Sequence, residues 1–221
     1  MGASWLTSRF LFSIGLGAIL FGIFPLVDRS WGIDVELTME QANASLSAGR
    51  EPMEKAETVE QVASVIKAAD QAIRLGMDLE KNPCGTSAVL KTKTYWLEYF
   101  GRREAAESKR QKTEIRMPES KIQEILDMPN LELEIGLCGE EEFFAEGAQV
   151  VLQQGRHNIQ AVDIGAPARG RKIPGMPQSY TSRFTARFAY VDFDPQAQTT
   201  VAVSFPDGKL VNIEADFSKI K

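Results

Sequence analysis

The chain has 221 residues, enough for one domain of ordinary size, or for one domain with an anchor and a small helical piece. Hydrophobic residues make up 43% and charged residues 25%, which excludes wholesale disorder, and a net charge of −5 argues against a dedicated nucleic-acid binder. One histidine excludes a histidine-rich metal site, and two cysteines exclude both a four-cysteine zinc site and a disulfide-dense scaffold.

The first element is apolar. From Phe10 to Val27 no residue carries a charge. At 1.5 Å per helical residue the run covers roughly 27 Å, close to the ~30 Å hydrocarbon core of a bilayer. Arg9 closes one end, Asp28 and Arg29 close the other, and Trp5 and Trp31 stand just outside, where indole rings favour the interface. Lipid offers no water to an unpaired amide, so the run is expected to be one transmembrane helix. A cleaved signal peptide is the competing reading. It would need a shorter apolar core and a small-x-small cleavage site, which Val27-Asp28-Arg29-Ser30 does not supply. Lys and Arg are nearly balanced across the run and the terminal amine tips it, placing the N-terminus in the cytoplasm and the bulk of the chain outside. Two small-xxx-small pairs, Ser13/Gly17 and Ala18/Gly22, would admit a second helix, although membrane helices are rich in such residues anyway.

Thr38 precedes a short helix that ends at Gly49, with Pro52 just beyond. Val59, Val62, Ala63, Ile66, Ala69, Ile73 and Met77 then recur at intervals of three and four, predicting an amphipathic helix from about Met53 to Leu79. Its narrow apolar stripe is expected to pack on the following domain, with a coiled-coil stalk as the alternative. Asn82-Pro83 ends it.

Beyond Pro83 the pattern favours strands. Val89–Phe100 reads as a strand, although a helix would also fit Trp96 and Phe100, the charged run Arg102–Lys112 as a solvated tip, and Thr113–Met117 as the strand returning from it. Pro118 starts a short helix that ends before Pro129. Leu131, Leu133, Ile135 and Leu137 alternate strictly. Strands follow at Gln149–Gln153, Asn158–Asp163, Phe184–Phe193, Thr199–Phe205 and Lys209–Phe217, the last two joined by the turn Pro206-Asp207-Gly208. Gly165–Gln178, rich in Pro and Gly, reads as a long crossover loop. Short strands spaced by turn residues, without βαβ alternation or a Gly-rich phosphate loop, describe an antiparallel sandwich. The expected fold is therefore α+β: a membrane anchor and flank over 1–34, a juxtamembrane helical segment over 35–82, and an antiparallel β-sandwich-like (Ig-like) domain over 83–221.

Few residues carry chemistry. Cys84 and Cys138 are each followed by glycine at the ends of predicted elements. If the domain lies outside, they are the one possible intramolecular disulfide, closing a loop whose loss of unfolded-state entropy is worth about 4 kcal/mol in the ideal model. Two small buried thiols are the alternative on the cytoplasmic side. His157 falls in a turn, where histidines are usually solvated, and without it no Ser-His-Asp or Cys-His arrangement can be assembled. Asp192, Asp194 and Asp216 would share one end of a meander of the last three strands, with Asp207 at the other, and Glu140-Glu141-Glu142 adds further acid. Rim solvation is the ordinary use of such residues and calcium the rarer one. Arg102, Arg103, Lys109, Arg110, Lys112 and Arg116 are interspersed with glutamates, as on a solvated surface, and Arg169, Arg171 and Lys172 form a second cluster; on one face the two could meet an acidic partner or an anionic envelope polymer. Aromatics interleave too weakly for single-stranded nucleic acid. Asn43-Ala44-Ser45 is a glycosylation sequon.

The reading that follows is a single-pass membrane protein with no cofactor and no catalytic or metal site. Its partners would be the lipid bilayer through the N-terminal helix and another envelope protein, with no nucleic acid. The rival is a cell-envelope enzyme or calcium module using the acidic rim. Each arginine placed at mid-helix costs roughly 2.5–3.5 kcal/mol on the insertion scale. The full chain should accordingly stay in the membrane fraction after an alkaline wash, and replacing Leu16 and Ile19 together with Arg should release it. A mature protein that begins after residue 27 would contradict the anchor.

Overall fold

Thr38 starts the first helix, α1 (Met39–Lys55), through a capping box: its hydroxyl accepts from the Gln41 amide, and the Gln41 side chain accepts from the Thr38 amide. The computed structural model that shows this describes residues 32–220. Thr58 and Gln61 repeat the device for α2 (Val59–Ala72). The apolar run Phe10–Val27 lies outside the described residues. Among those described, no helix is long and apolar enough to cross a membrane.

Two expectations fail in this stretch. Helix α1 does not stop at Gly49 but runs through it and through Pro52 to Lys55, and residues 53–79 are not one helix. Thr58 begins a new helix, and Arg74–Gly76 is already a strand, β1.

Strand β2 (Ser87–Lys91) ends at Thr92, whose hydroxyl accepts from the Tyr95 amide and so caps α3 (Lys93–Gln111). The strand expected over Val89–Phe100 is therefore mostly helix, and the solvated tip expected at Arg102–Lys112 is its second half. The physical reason is the composition of its inner face. Leu97, Gly101, Glu104 and Ala105 are buried, and two of them are too small to register as hydrophobic periodicity. They are small because α1 lies against them. A Cβ added at Gly101 would overlap the Leu46 carbonyl, and one added at Gly49 would overlap the Glu98 carbonyl. Glycine at Gly49 is a contact surface, not a stop signal.

Helix α3 also supplies the polar fastenings of the helical layer. Glu104 forms a buried ion pair with Arg50 of α1, and its other oxygen accepts from the Met117 amide. That bond holds residues 113–117 against α3, where no strand forms. Lys109 donates to the Met53 and Ala56 carbonyls, at 2.7 and 2.6 Å, closing the C-terminal end of α1. Lys93 donates to the Leu126 carbonyl at 2.5 Å and does the same for α4 (Glu119–Leu126). A positive charge at a helix C-terminus also complements the helix dipole.

The strands form two antiparallel sheets. The first has the order β1-β2-β3-β8-β6, with β3 at Asn130–Gly139, β6 at Asp163–Ile164 and β8 at Met176–Ala189; β7 (Arg171–Ile173) also pairs with β8. The second has the order β10-β9-β4-β5, with β4 at Gln149–Gln154, β5 at His157–Gln160, β9 at Gln198–Ser204 and β10 at Leu210–Asp216. Register follows alternation. Leu133 stands between Leu90 and Ala186, and Leu152 pairs with Val201. These residues, with Leu131, Ile135, Phe188, Val203 and Phe217, form one core drawn from both sheets.

Two further readings are corrected. Gly165–Gln178 is not a crossover between sheets: it returns β6 through β7 into β8 within the first sheet, and the step from one sheet to the other falls at residues 161–162. The last three long strands are not a meander, because β8 belongs to the first sheet and β9 and β10 to the second. The β9–β10 hairpin itself turns at Pro206-Asp207-Gly208, with Gly208 at φ +84°, where glycine carries no steric penalty.

Replacing glycine by alanine inside a helix ordinarily gains up to about 1 kcal/mol of propensity. At Gly101 the new methyl has a backbone carbonyl in its place, and overpacking of that kind costs roughly 1–3 kcal/mol or more. Gly101→Ala should lower unfolding stability by about 2 kcal/mol in urea titration. An unchanged or raised midpoint would show that α1 and α3 can part without cost.

Candidate functional site

The register of β2 on β3 sets Ser87 opposite Gly136, and continuing it brings the Cys84-Gly85 stretch beside Cys138. The two are joined as a disulfide with their Cα atoms 5.1 Å apart, leaving no free cysteine among the described residues. The bond staples the end of the 77–86 loop to β3.

The other residues singled out from the sequence do not converge. His157 is exposed at the start of β5. Asp192 is exposed on the short turn after β8. Asp194 accepts from the Gln196 amide, and Asp216 accepts from Ser218 and pairs with Lys219 at 2.8 Å. Asp207 closes its own hairpin by accepting from Lys209. Among the described residues no group of three or more acidic, His or Cys side chains is placed to hold a metal ion. The basic clusters are matched in part within the chain: Arg102 with Glu98, Arg110 with Glu107, Arg116 with Glu114 and Arg169 with Glu142. Asn43 of the sequon is exposed on α1.

What the sequence assigned to the core is instead open. Helix α2 buries no residue completely. Val59 is 80% exposed, Ile66 48% and Met77 51%, so the amphipathic stripe is legible but uncovered. A groove of 700 Å³ runs beside it. One wall is α2, through Ala63, Ile66, Lys67 and Asp70. The other is the stapled loop, through Met77, Leu79 and Glu80. Arg74 of β1 and Arg183 of β8 reach it from the outer face of the first sheet. Lys67 and Glu80 bridge the two walls at 2.8 Å, and both are exposed, so the closure is weak. Six of the twelve lining residues are charged, so the groove is an apolar strip of Ala63, Ile66, Met77 and Leu79 set among charges.

The sheet face that meets the groove is a ladder of charge. Arg187 of β8 pairs with Asp163 of β6 and Glu132 of β3; Lys91 of β2 pairs with Glu132 and Glu134; Glu134 pairs with Arg183. Three acids and three bases thus alternate across four strands, the favourable cross-strand arrangement. Burial alone would raise the Glu134 carboxyl, but the hydrogen bond and charge of Lys91, with Arg183 and Arg74 nearby, hold it below its ordinary value of 4.5. Burial likewise would lower the Lys91 ammonium, and Glu134 and Glu132 together hold it above 10.5.

Compared with known proteins, the chain matches no family model, no curated protein and no solved structure.

The ladder fixes a pH dependence by its signs. The depressed Glu134 contributes stability that is present above the unfolded carboxyl value and is lost as pH falls through the folded one. The raised Lys91 contributes stability that is present below 10.5 and is lost as pH rises through its folded value. Urea midpoints should therefore fall on acidification below 4.5 and again above 10.5. Glu134→Gln should flatten the acid limb; an acid limb unchanged in that variant would show that the ladder does not set it.

Proposed function

We propose that the chain is a single-pass membrane-anchored protein whose Ig-like sandwich and helical layer lie outside the membrane, bind another envelope protein and perform no chemistry. The observation that carries this reading is the uncovered apolar face of α2 beside the groove. Contiguous exposed apolar surface rimmed by charge is the signature of an interaction site. The apolar run Phe10–Val27 with its flanking tryptophans supports the anchor. The Cys84–Cys138 geometry supports an oxidising compartment. The acidic-rim alternative is weaker because Asp194, Asp207 and Asp216 are each engaged by neighbours within a few residues.

Placing a photo-crosslinking residue at Ile66 of the full chain, in intact membranes, tests the reading. Ser64, on the exposed polar side of α2, is the control. A discrete adduct to one envelope protein at Ile66, absent at Ser64, is expected. Equal labelling at the two positions, or none at Ile66, would overturn it.

A further inference from the structure

The helical layer holds a second hollow that the proposed interaction face does not use. It lies between α3 and residues 115–125, has a volume of 470 Å³, and is walled by Phe100, Ile115, Met117, Pro118 and Ile125. That is the size and composition of a small-molecule site.

Three acids and three bases line its mouth, and all but one of them are ion-paired. Glu104 is committed to Arg50 and the Met117 amide, Glu107 to Arg110 and Gln111, and Glu124 to Lys121. Arg116 pairs with Glu114. Arg103 remains: it has no ion pair or hydrogen bond among the described residues. Glu107, one turn along α3, feels the Arg103 charge, but its carboxylate accepts from Arg110. The Arg103 guanidinium is held instead over the rings of Tyr99 and Phe100, with 6.0 and 5.9 Å to their centroids. An exposed cation with no ion-pair partner, at the rim of an apolar hollow, matches an anionic head on an apolar body.

The wall also says what kind of body. The Ile115 amide donates to the Ser108 hydroxyl at 2.9 Å, that hydroxyl donates to the Ile115 carbonyl at 3.5 Å, and the Met117 amide donates to Glu104. Pro118 has no N–H to give. An extended peptide laid here would find those amides taken, whereas a hydrocarbon chain needs none.

We propose that this hollow is a binding site for a single-chain anionic amphiphile of the fatty-acid class, its chain between α3 and residues 115–125 and its carboxylate on Arg103.

The test uses the full chain in phosphatidylcholine nanodiscs and two photoactivatable probes with the same alkyl chain, one ending in a carboxylate and one in a quaternary ammonium. After irradiation, labelled peptides are mapped by mass spectrometry. The carboxylate probe should label residues 100–125 saturably, and the ammonium probe about tenfold less. Arg103→Gln should lower carboxylate labelling about tenfold, the loss expected for one charge-assisted contact. Ile115→Trp, which fills the hollow without removing Arg103, should abolish it while circular dichroism stays unchanged. Equal labelling by both probes, label spread outside residues 100–125, or an Arg103→Gln variant that labels like the parent would overturn the proposal.

Discussion

Gly49 and Gly101 let the backbones of α1 and α3 touch, and the placement of the other helices follows from that contact. With no side chain between them, α1 lies close enough for Arg50 to meet Glu104 in a buried pair, and for Lys109 to reach the last carbonyls of α1. Breaking a buried pair by removing one partner strands a charge, typically at a cost of about 3–5 kcal/mol, so this register is strongly specified. Lys93 at the other end of α3 fixes α4 in the same manner. Helix α3 thereby holds both α1 and α4. Helix α2 receives none of these fastenings, and its apolar stripe remains open.

That division explains why the strands were more legible in the sequence than the helices. Leu131, Leu133, Ile135 and Leu137 alternate because one face of β3 meets the core and the other the charge ladder. The turn at Asp207-Gly208 is legible because positive φ selects glycine. Helix α3 is only half legible because its buried face sets Gly101 and Glu104 between Leu97 and Ala105, which breaks the apolar spacing. Gly49 was misread because one residue type serves both as a helix terminator and as a close-contact surface. At the site, the stripe on α2 was visible, but whether anything covers it depends on where α1 and α3 go, which no local pattern encodes. Arg103 reads as part of a solvated run, since its place at the mouth of a hollow requires α3 and the segment packed on it.

The first sheet faces two ways. Its inner side shares an apolar core with the second sheet, and its outer side carries alternating charges that end beside the α2 groove. The firmest part of that face is Lys91 between Glu132 and Glu134, which are largely covered. The loop opposite α2 is stapled by Cys84–Cys138. The groove therefore has one fixed wall, a firm floor and one loosely held helix, an arrangement in which ligand contact is stabilised by ordering α2.

Native-state hydrogen exchange, read residue by residue on the full chain, tests that arrangement most directly. Amides of Val62–Ala72 should exchange through local opening, orders of magnitude faster than those of Leu97–Ala105 in α3, whose exchange should follow global unfolding. Protection in α2 equal to that in α3 would contradict the account, because a helix held as firmly as the glycine-packed pair would not be the open face on which the proposed function rests.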